Sequence, residues 1–284
     1  MAKHEGAASS EPIVVSGRWL AGALGLVLVA AVLSVYGTLA MLFYQGQWQL
    51  VLHPAKAITA TPETKFDEIH FDYTETGVAQ LDGWWIPAEP NTRWSGSTIL
   101  YLHGGAGSLS NCVGSLAALH ALGINAFAFD YRGYGRSAGP HPEEARMAAD
   151  ADAAWRYLTD TRHLDPKTIV FYGTGTGASL AAELAARHLP AAVILDGPSE
   201  TAWKTVRADA RARILPRGLL LTERFDPAAA LETLAVPKLF LDQDGAKPRT
   251  AQLYQLAASP KQYFEVKPGA YQATLARFLD GILQ

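Results

Sequence analysis

The run Thr168-Ile169-Val170-Phe171-Tyr172-Gly173-Thr174-Gly175-Thr176-Gly177-Ala178-Ser179-Leu180 decides the fold. Residues 168–172 are mostly β-branched or aromatic and read as a buried strand. Three alternating glycines then mark a sharp turn. Residues 178–189 are rich in Ala and Leu and end near Arg187 and His188, cations that suit a helix C-terminus. Strand, glycine turn and helix follow one another without a linker.

The same rhythm extends in both directions. Short runs at 69–73, 81–86, 98–103, 126–130, 192–196, 239–242 and 262–266 are rich in Val, Ile, Leu, Phe or Tyr and read as strands. Helical stretches fall at 142–158, which opens Pro142-Glu143-Glu144, and at 249–257 and 274–283. Alternating strands and helices predict an α/β fold, a mostly parallel central sheet with helices on both faces. Residues 197–236 interrupt the rhythm and are long enough for a short cap.

Composition narrows the function classes. The 284 residues are 49% hydrophobic and 10% aromatic, enough to bury a core, so disorder is excluded. A net charge of -3 lacks the basic footprint of a nucleic-acid binder. One cysteine, Cys112, excludes an internal disulfide framework and a multi-cysteine metal site, and no metal is expected.

Residues 19–44 form 26 consecutive positions without a charge. At about 1.5 Å per residue they outspan a hydrocarbon core of roughly 30 Å. Trp19, Phe43, Tyr44 and Trp48 lie at the ends, where aromatic rings favour the interface. A cleaved signal peptide would have a shorter apolar region and a small-residue cleavage site. The expected organisation is a tail at 1–18, a single-pass transmembrane anchor (a signal anchor) at 19–44 and a globular domain at 45–284. Lys3 and Arg18 hold the tail in the cytoplasm by the positive-inside rule, placing the domain outside it, in the periplasm for a double-membraned bacterium.

Four further motifs bear on function. They are Gln47-Trp48-Gln49-Leu50-Val51-Leu52-His53-Pro54, Leu102-His103-Gly104-Gly105-Ala106-Gly107, Asp130-Tyr131-Arg132-Gly133-Tyr134-Gly135-Arg136-Ser137, and Arg224-Phe225-Asp226 followed by Val236-Pro237. With the glycine turn, their order resembles the membrane-anchored, abhydrolase-domain-like branch of the α/β-hydrolase superfamily. The resemblance implies the α/β-hydrolase fold, an oxyanion loop at 102–107, and a nucleophile, acid and histidine in that chain order.

Two of those three positions hold the wrong residue. The nucleophile position is Gly175, which has no side chain to attack a carbonyl, and Thr174 and Thr176 stand one place off. The eight histidines lie at 4, 53, 70, 103, 120, 141, 163 and 188, so none follows the penultimate strand, and Tyr271 occupies the base position. A phenol with an ordinary pKa near 10 is a poor substitute for imidazole. The residual acid is Asp244 counted back from Pro248, or Ala246 takes that place counted forward from Pro237. Backbone N–H groups at Gly105 and Thr176 would preserve an oxyanion-hole-like pair, unless the glycines serve only tight packing.

Two other readings use the same residues. Gly173-x-Gly175-x-x-Ala178 satisfies a dinucleotide pattern, with Asp196 at the end of the next strand, 21 positions beyond Gly175. Relocated catalysis would draw on Ser108, Ser110, Ser137 or Ser199 with His103. The leading expectation is a pseudoenzyme without a cofactor. It would bind a small acyl or anionic ligand, or serve as an accessory subunit of a membrane-protein complex.

Overall fold

Alternate residues of the central strands bury into two separate cores, one on each face of the sheet. Leu100, Leu102, Phe127, Phe129, Phe171, Val193 and Phe240 pack on one side. Ile99, Tyr101, Ala126, Ala128, Val170, Tyr172 and Ile194 pack on the other. A strand buried on both faces needs a continuous apolar run, which is why these segments lack polar alternation. The computed structural model describes residues 16–72, 80–208, 214–242, 248–267 and 269–283.

In chain order the strands are β1 (His53–Pro54), β2 (Asp67–Phe71), β3 (Leu81–Ile86), β4 (Trp94–Leu102), β5 (Ala106–Gly107), β6 (Ile124–Asp130), β7 (Ile169–Thr174), β8 (Ala192–Asp196), β9 (Lys238–Asp242) and β10 (Lys261–Glu265). The helices are α1 (Gly17–Gly46), α2 (Val113–Ala121), α3 (Glu144–Arg156), α4 (Thr176–His188), α5 (Ala202–Ala208), α6 (Arg217–Leu220), α7 (Ala228–Thr233), α8 (Pro248–Leu256) and α9 (Tyr271–Asp280). Eight strands form one sheet in the order β10-β9-β8-β7-β4-β6-β3-β2. Only β3 runs against its neighbours β2 and β6; the other pairings are parallel. This is the α/β-hydrolase architecture the sequence predicts.

The boundaries differ where local sequence is ambiguous. β2 covers Asp67–Phe71 rather than 69–73, because antiparallel pairing sets Phe71 opposite Leu81. α3 starts at Glu144, since Glu143 is extended at φ -152°, ψ 158°. α9 begins at Tyr271, earlier than 274. Helix α2 has no counterpart in the sequence expectation; it is nine residues long and buries only Leu116 and Leu119. Within residues 197–236, where a cap is expected, α7 packs on α4 and α8, and α5 packs on the segment Gln47–Leu50.

The chain divides into two compact units at Gln45 and Gly46. In the first, α1 carries apolar side chains on every face and buries none of them. It is long and apolar enough to be a candidate transmembrane segment, a description a signal sequence also meets.

Candidate active site

The turn between β7 and α4 is held by steric exclusion. A Cβ on Gly173 would lie 2.3 Å from the Gly177 carbonyl oxygen, and one on Gly177 would lie 2.1 Å from that of Leu102. Both distances are impossible for a side chain, so close strand–helix packing requires glycine there. Gly175 differs. It sits at φ 56°, ψ -120° as the residue before α4. A Cβ there would meet only the Ser199 hydroxyl at 3.2 Å and Gly104 Cα at 3.7 Å. The turn therefore keeps the sharp backbone and open space of a nucleophile elbow, with glycine at its apex.

That space is a cavity of about 550 Å³ whose lining includes Tyr101, His103, Gly105, Cys112, Thr176 and Asp196. Sequence reasoning missed Tyr101 and Cys112, because nothing in their local pattern separates a cavity wall from a core. The post-helix segment braces the oxyanion loop through the short parallel pair β1 and β5. His53 N–H donates to Gly105 O at 2.7 Å, and the Tyr134 hydroxyl donates to the same oxygen at 2.8 Å. Three motifs distant in sequence thus meet around Gly105. A Cβ there would lie 3.1 Å from Thr176 Oγ1, so the two oxyanion-hole candidates are brought together.

Thr176 is 3% exposed, and its Oγ1 has no hydrogen-bond partner. It is also the first residue of α4, where opening N–H groups lack intrahelical acceptors. Donor capacity is concentrated at this corner of the cavity.

Tyr271, the residue expected at the base position, sits in a chain of hydrogen bonds. Tyr172 Oη donates to Asp196 Oδ2 at 2.6 Å, and Tyr271 Oη lies 2.5 Å from Tyr172 Oη. Tyr172 spends its single proton on the carboxylate, so Tyr271 must be the donor to Tyr172. Burial raises both phenols above their ordinary range, and for Tyr172 the neighbouring Tyr271 and Asp196 add to it. Both remain protonated at neutral pH. Asp196, the expected ribose acid of the dinucleotide reading, accepts from Tyr172 through Oδ2. Gly173 and Gly175 lie at the elbow after β7, the fourth strand of the sheet order, whereas a dinucleotide fingerprint follows the first strand of its unit.

The relocated-catalysis candidates do not assemble. Ser137 Oγ donates to Asp130 O and accepts from Asp82 N–H. Ser110 Oγ accepts from Thr59 N–H at 2.9 Å and donates to Ala60 O at 3.0 Å. Ser108 Oγ donates to Ala57 O at 3.4 Å. Ser199 reaches the cavity, but His103 offers it nothing. The His103 Nδ1–H donates to Gly104 O at 2.7 Å, and Nε2 is buried without a partner, 3.6 Å from Asp130 Oδ1. Burial lowers the imidazole pKa to about 4 and raises the Asp130 carboxyl to about 7. Asp244 and Ala246 lie outside the described residues. Among the described residues no group of His, Cys, Asp and Glu is arranged to hold a metal.

Residues 99–281 match the model of the alpha/beta hydrolase family. The chain belongs to that family. Among its relatives, the uncharacterized protein Rv2307c of Mycobacterium tuberculosis is 32% identical over 253 residues, 86% of each chain. Human alpha/beta hydrolase domain-containing protein 17C is 34% identical over 127 residues, 44% of this chain and 37% of that protein. The Pyrococcus furiosus esterase Pf2001 superposes with a TM-score of 0.64 at 19% identity, covering 82% of this chain and 100% of its own. At that identity the likeness to the esterase shows the alpha/beta hydrolase fold alone.

Proposed function

We propose that this alpha/beta hydrolase is a membrane-anchored pseudoenzyme that binds a small ligand in the elbow cavity. The observation that carries the reading is Gly175: an elbow backbone intact in every other respect ends at a bare Cα, opposite open space. Acyl transfer through the serine-hydrolase route needs an attacking oxygen and a proton acceptor beside it. Gly175 supplies no oxygen, and the Tyr271 phenol is a donor within its own hydrogen-bonded chain.

The Thr176 hydroxyl and the first N–H groups of α4 favour a ligand that presents a carbonyl or carboxylate oxygen. Small acyl compounds fit that requirement and the volume available. The anchor is α1, which at about 1.5 Å per residue exceeds the hydrocarbon thickness, and the domain lies on the extracytoplasmic side. Association with a larger membrane complex accords with binding without turnover.

Incubation of the purified protein with short-chain p-nitrophenyl esters and a fluorophosphonate probe tests the chemistry. Neither turnover nor labelling above background is expected, and clear labelling would end the pseudoenzyme reading. Retention of the full chain in membranes after alkaline carbonate washing tests the anchor.

A further inference from the structure

We infer that the α5–α6 cap is a membrane-docking face that rests on anionic phospholipid beside the anchor. The inference depends on the anchored reading of α1. Gly46 ends that helix, and Gln47, the next residue, is buried within the globular domain. Its Nε2 donates to Leu220 O at 3.0 Å, and its Oε1 accepts from Thr222 N–H at 2.8 Å. The polypeptide therefore enters the domain at the end of α6. A span ending at residue 46 brings the lipid headgroups to that point of the surface.

The surface has the composition an interface requires. Trp203 on α5 is 43% exposed, Ile214 66% and Leu219 on α6 84%. A water-facing domain surface has no use for three large apolar side chains on one small cap. The Arg217 guanidinium donates to Arg207 O at 3.3 Å, tying the two helices together. Trp203, Gly218 and Leu221 line one cleft of about 380 Å³ with Arg224 at its edge. Charge agrees: Arg207 and Arg217 lie on the two helices and Arg224 lines the same cleft, while Lys204 pairs with Glu200 at 2.6 Å and Asp226 with Arg249 at 2.5 Å, in a chain whose net charge is -3. Apolar side chains beside cations suit the boundary of an anionic bilayer.

The test uses the full chain reconstituted in vesicles of phosphatidylcholine, with or without phosphatidylglycerol. An environment-sensitive fluorophore is placed on L219C, and on E89C as a control. Glu89 precedes β4 while the cap follows β8, so they lie at opposite ends of parallel strands. The native Cys112 is buried, with its thiol pushed up to about 12, and leaves the introduced cysteine to react. Nitroxide lipids are expected to quench the probe at 219 about threefold more than the probe at 89, and more with phosphatidylglycerol present. Charge reversal by K204E, R207E and R217E together is expected to halve that excess, roughly. Equal quenching at both sites overturns the proposal, as does shielding of 219 from aqueous quencher without lipid quenching, which would assign the face to a protein partner. Carbonate washing of the same vesicles separates a failed anchor from a failed docking face.

Discussion

Tyr271 donates its phenol proton to Tyr172 across 2.5 Å, and Tyr172 passes its own to Asp196. Tyr271, where the sequence reading expects a base, is thus a group that already has a partner. The hydrogen-bonded chain stabilises the cavity wall, and Tyr101 stacks on Tyr172 with ring centroids 5.1 Å apart.

Breaking the chain at its two members has unequal costs. Tyr271→Phe removes one hydrogen bond and leaves Tyr172 still donating to Asp196, a loss of about 0.5–1.5 kcal/mol. Tyr172→Phe removes two hydrogen bonds, about 0.5–1.5 kcal/mol each, and leaves the buried Tyr271 donor without Tyr172, about 1–3 kcal/mol more. Urea denaturation is expected to rank Tyr172→Phe as clearly worse, and equal losses would contradict the hydrogen-bond directions given above.

The elbow glycines fall into two classes. Gly177→Ala forces a Cβ against the Leu102 carbonyl and is expected to cost about 3 kcal/mol or more. Gly175→Ser meets only a movable Ser199 hydroxyl and a positive φ, a cost of about 1–2 kcal/mol. Thermal unfolding of the two variants measures the difference. Gly175→Ser with Tyr271→His is expected to regain at most weak fluorophosphonate labelling, because the sequence of the acid loop, Leu241-Asp242-Gln243-Asp244-Gly245-Ala246-Lys247-Pro248, is also altered.

Protons couple to folding through Asp130. Its carboxyl titrates near 7 in the folded state because it is buried, well above its value in an unfolded chain. The folded protein therefore binds this proton more tightly, and the stability it contributes is complete below about pH 4 and lost as pH rises to 7. Glu183 and Glu223, also raised to about 7 by burial, act in the same direction. Asp130→Asn keeps an acceptor for Leu109 N–H, which now bonds Oδ1 at 2.9 Å. The variant is expected to flatten the decline between pH 4 and 7 by about 1–4 kcal/mol. Denaturation at several pH values reads that slope; an unchanged slope would show that Asp130 does not contribute.

Gln47 is the hinge pin of the cap. Gln47→Ala deletes its hydrogen bonds to Leu220 O and Thr222 N–H and leaves those two groups without that partner. Amide exchange at residues 217–222 is expected to accelerate by about tenfold, while the strands of the central sheet stay protected. Hydrogen exchange with mass spectrometry resolves the two regions.

Much of the fold was legible because burial on two faces leaves a simple record. Runs such as Val170-Phe171-Tyr172 and Ile194-Leu195-Asp196 announce central strands by composition alone. Helix α2 left no such record: Val113-Gly114-Ser115 opens it weakly, and tertiary packing of Leu116 and Leu119 decides its existence. The packing of Ala228–Thr233 on α4 and α8 was hidden too, since a helix reveals its neighbours only in the folded chain.

Sequence by itself determined the missing oxygen, because the identity of residue 175 is a covalent fact that no packing can alter. It equally determined that no histidine follows position 188. Tertiary structure alone decided the surroundings: that the elbow stays open, that Thr176 Oγ1 is left without a hydrogen-bond partner, and that Asp196 accepts from Tyr172. Hydrogen-bond partnership depends on which strands lie side by side, and β7, β8 and α9 meet only through the sheet order and the helix that closes the chain.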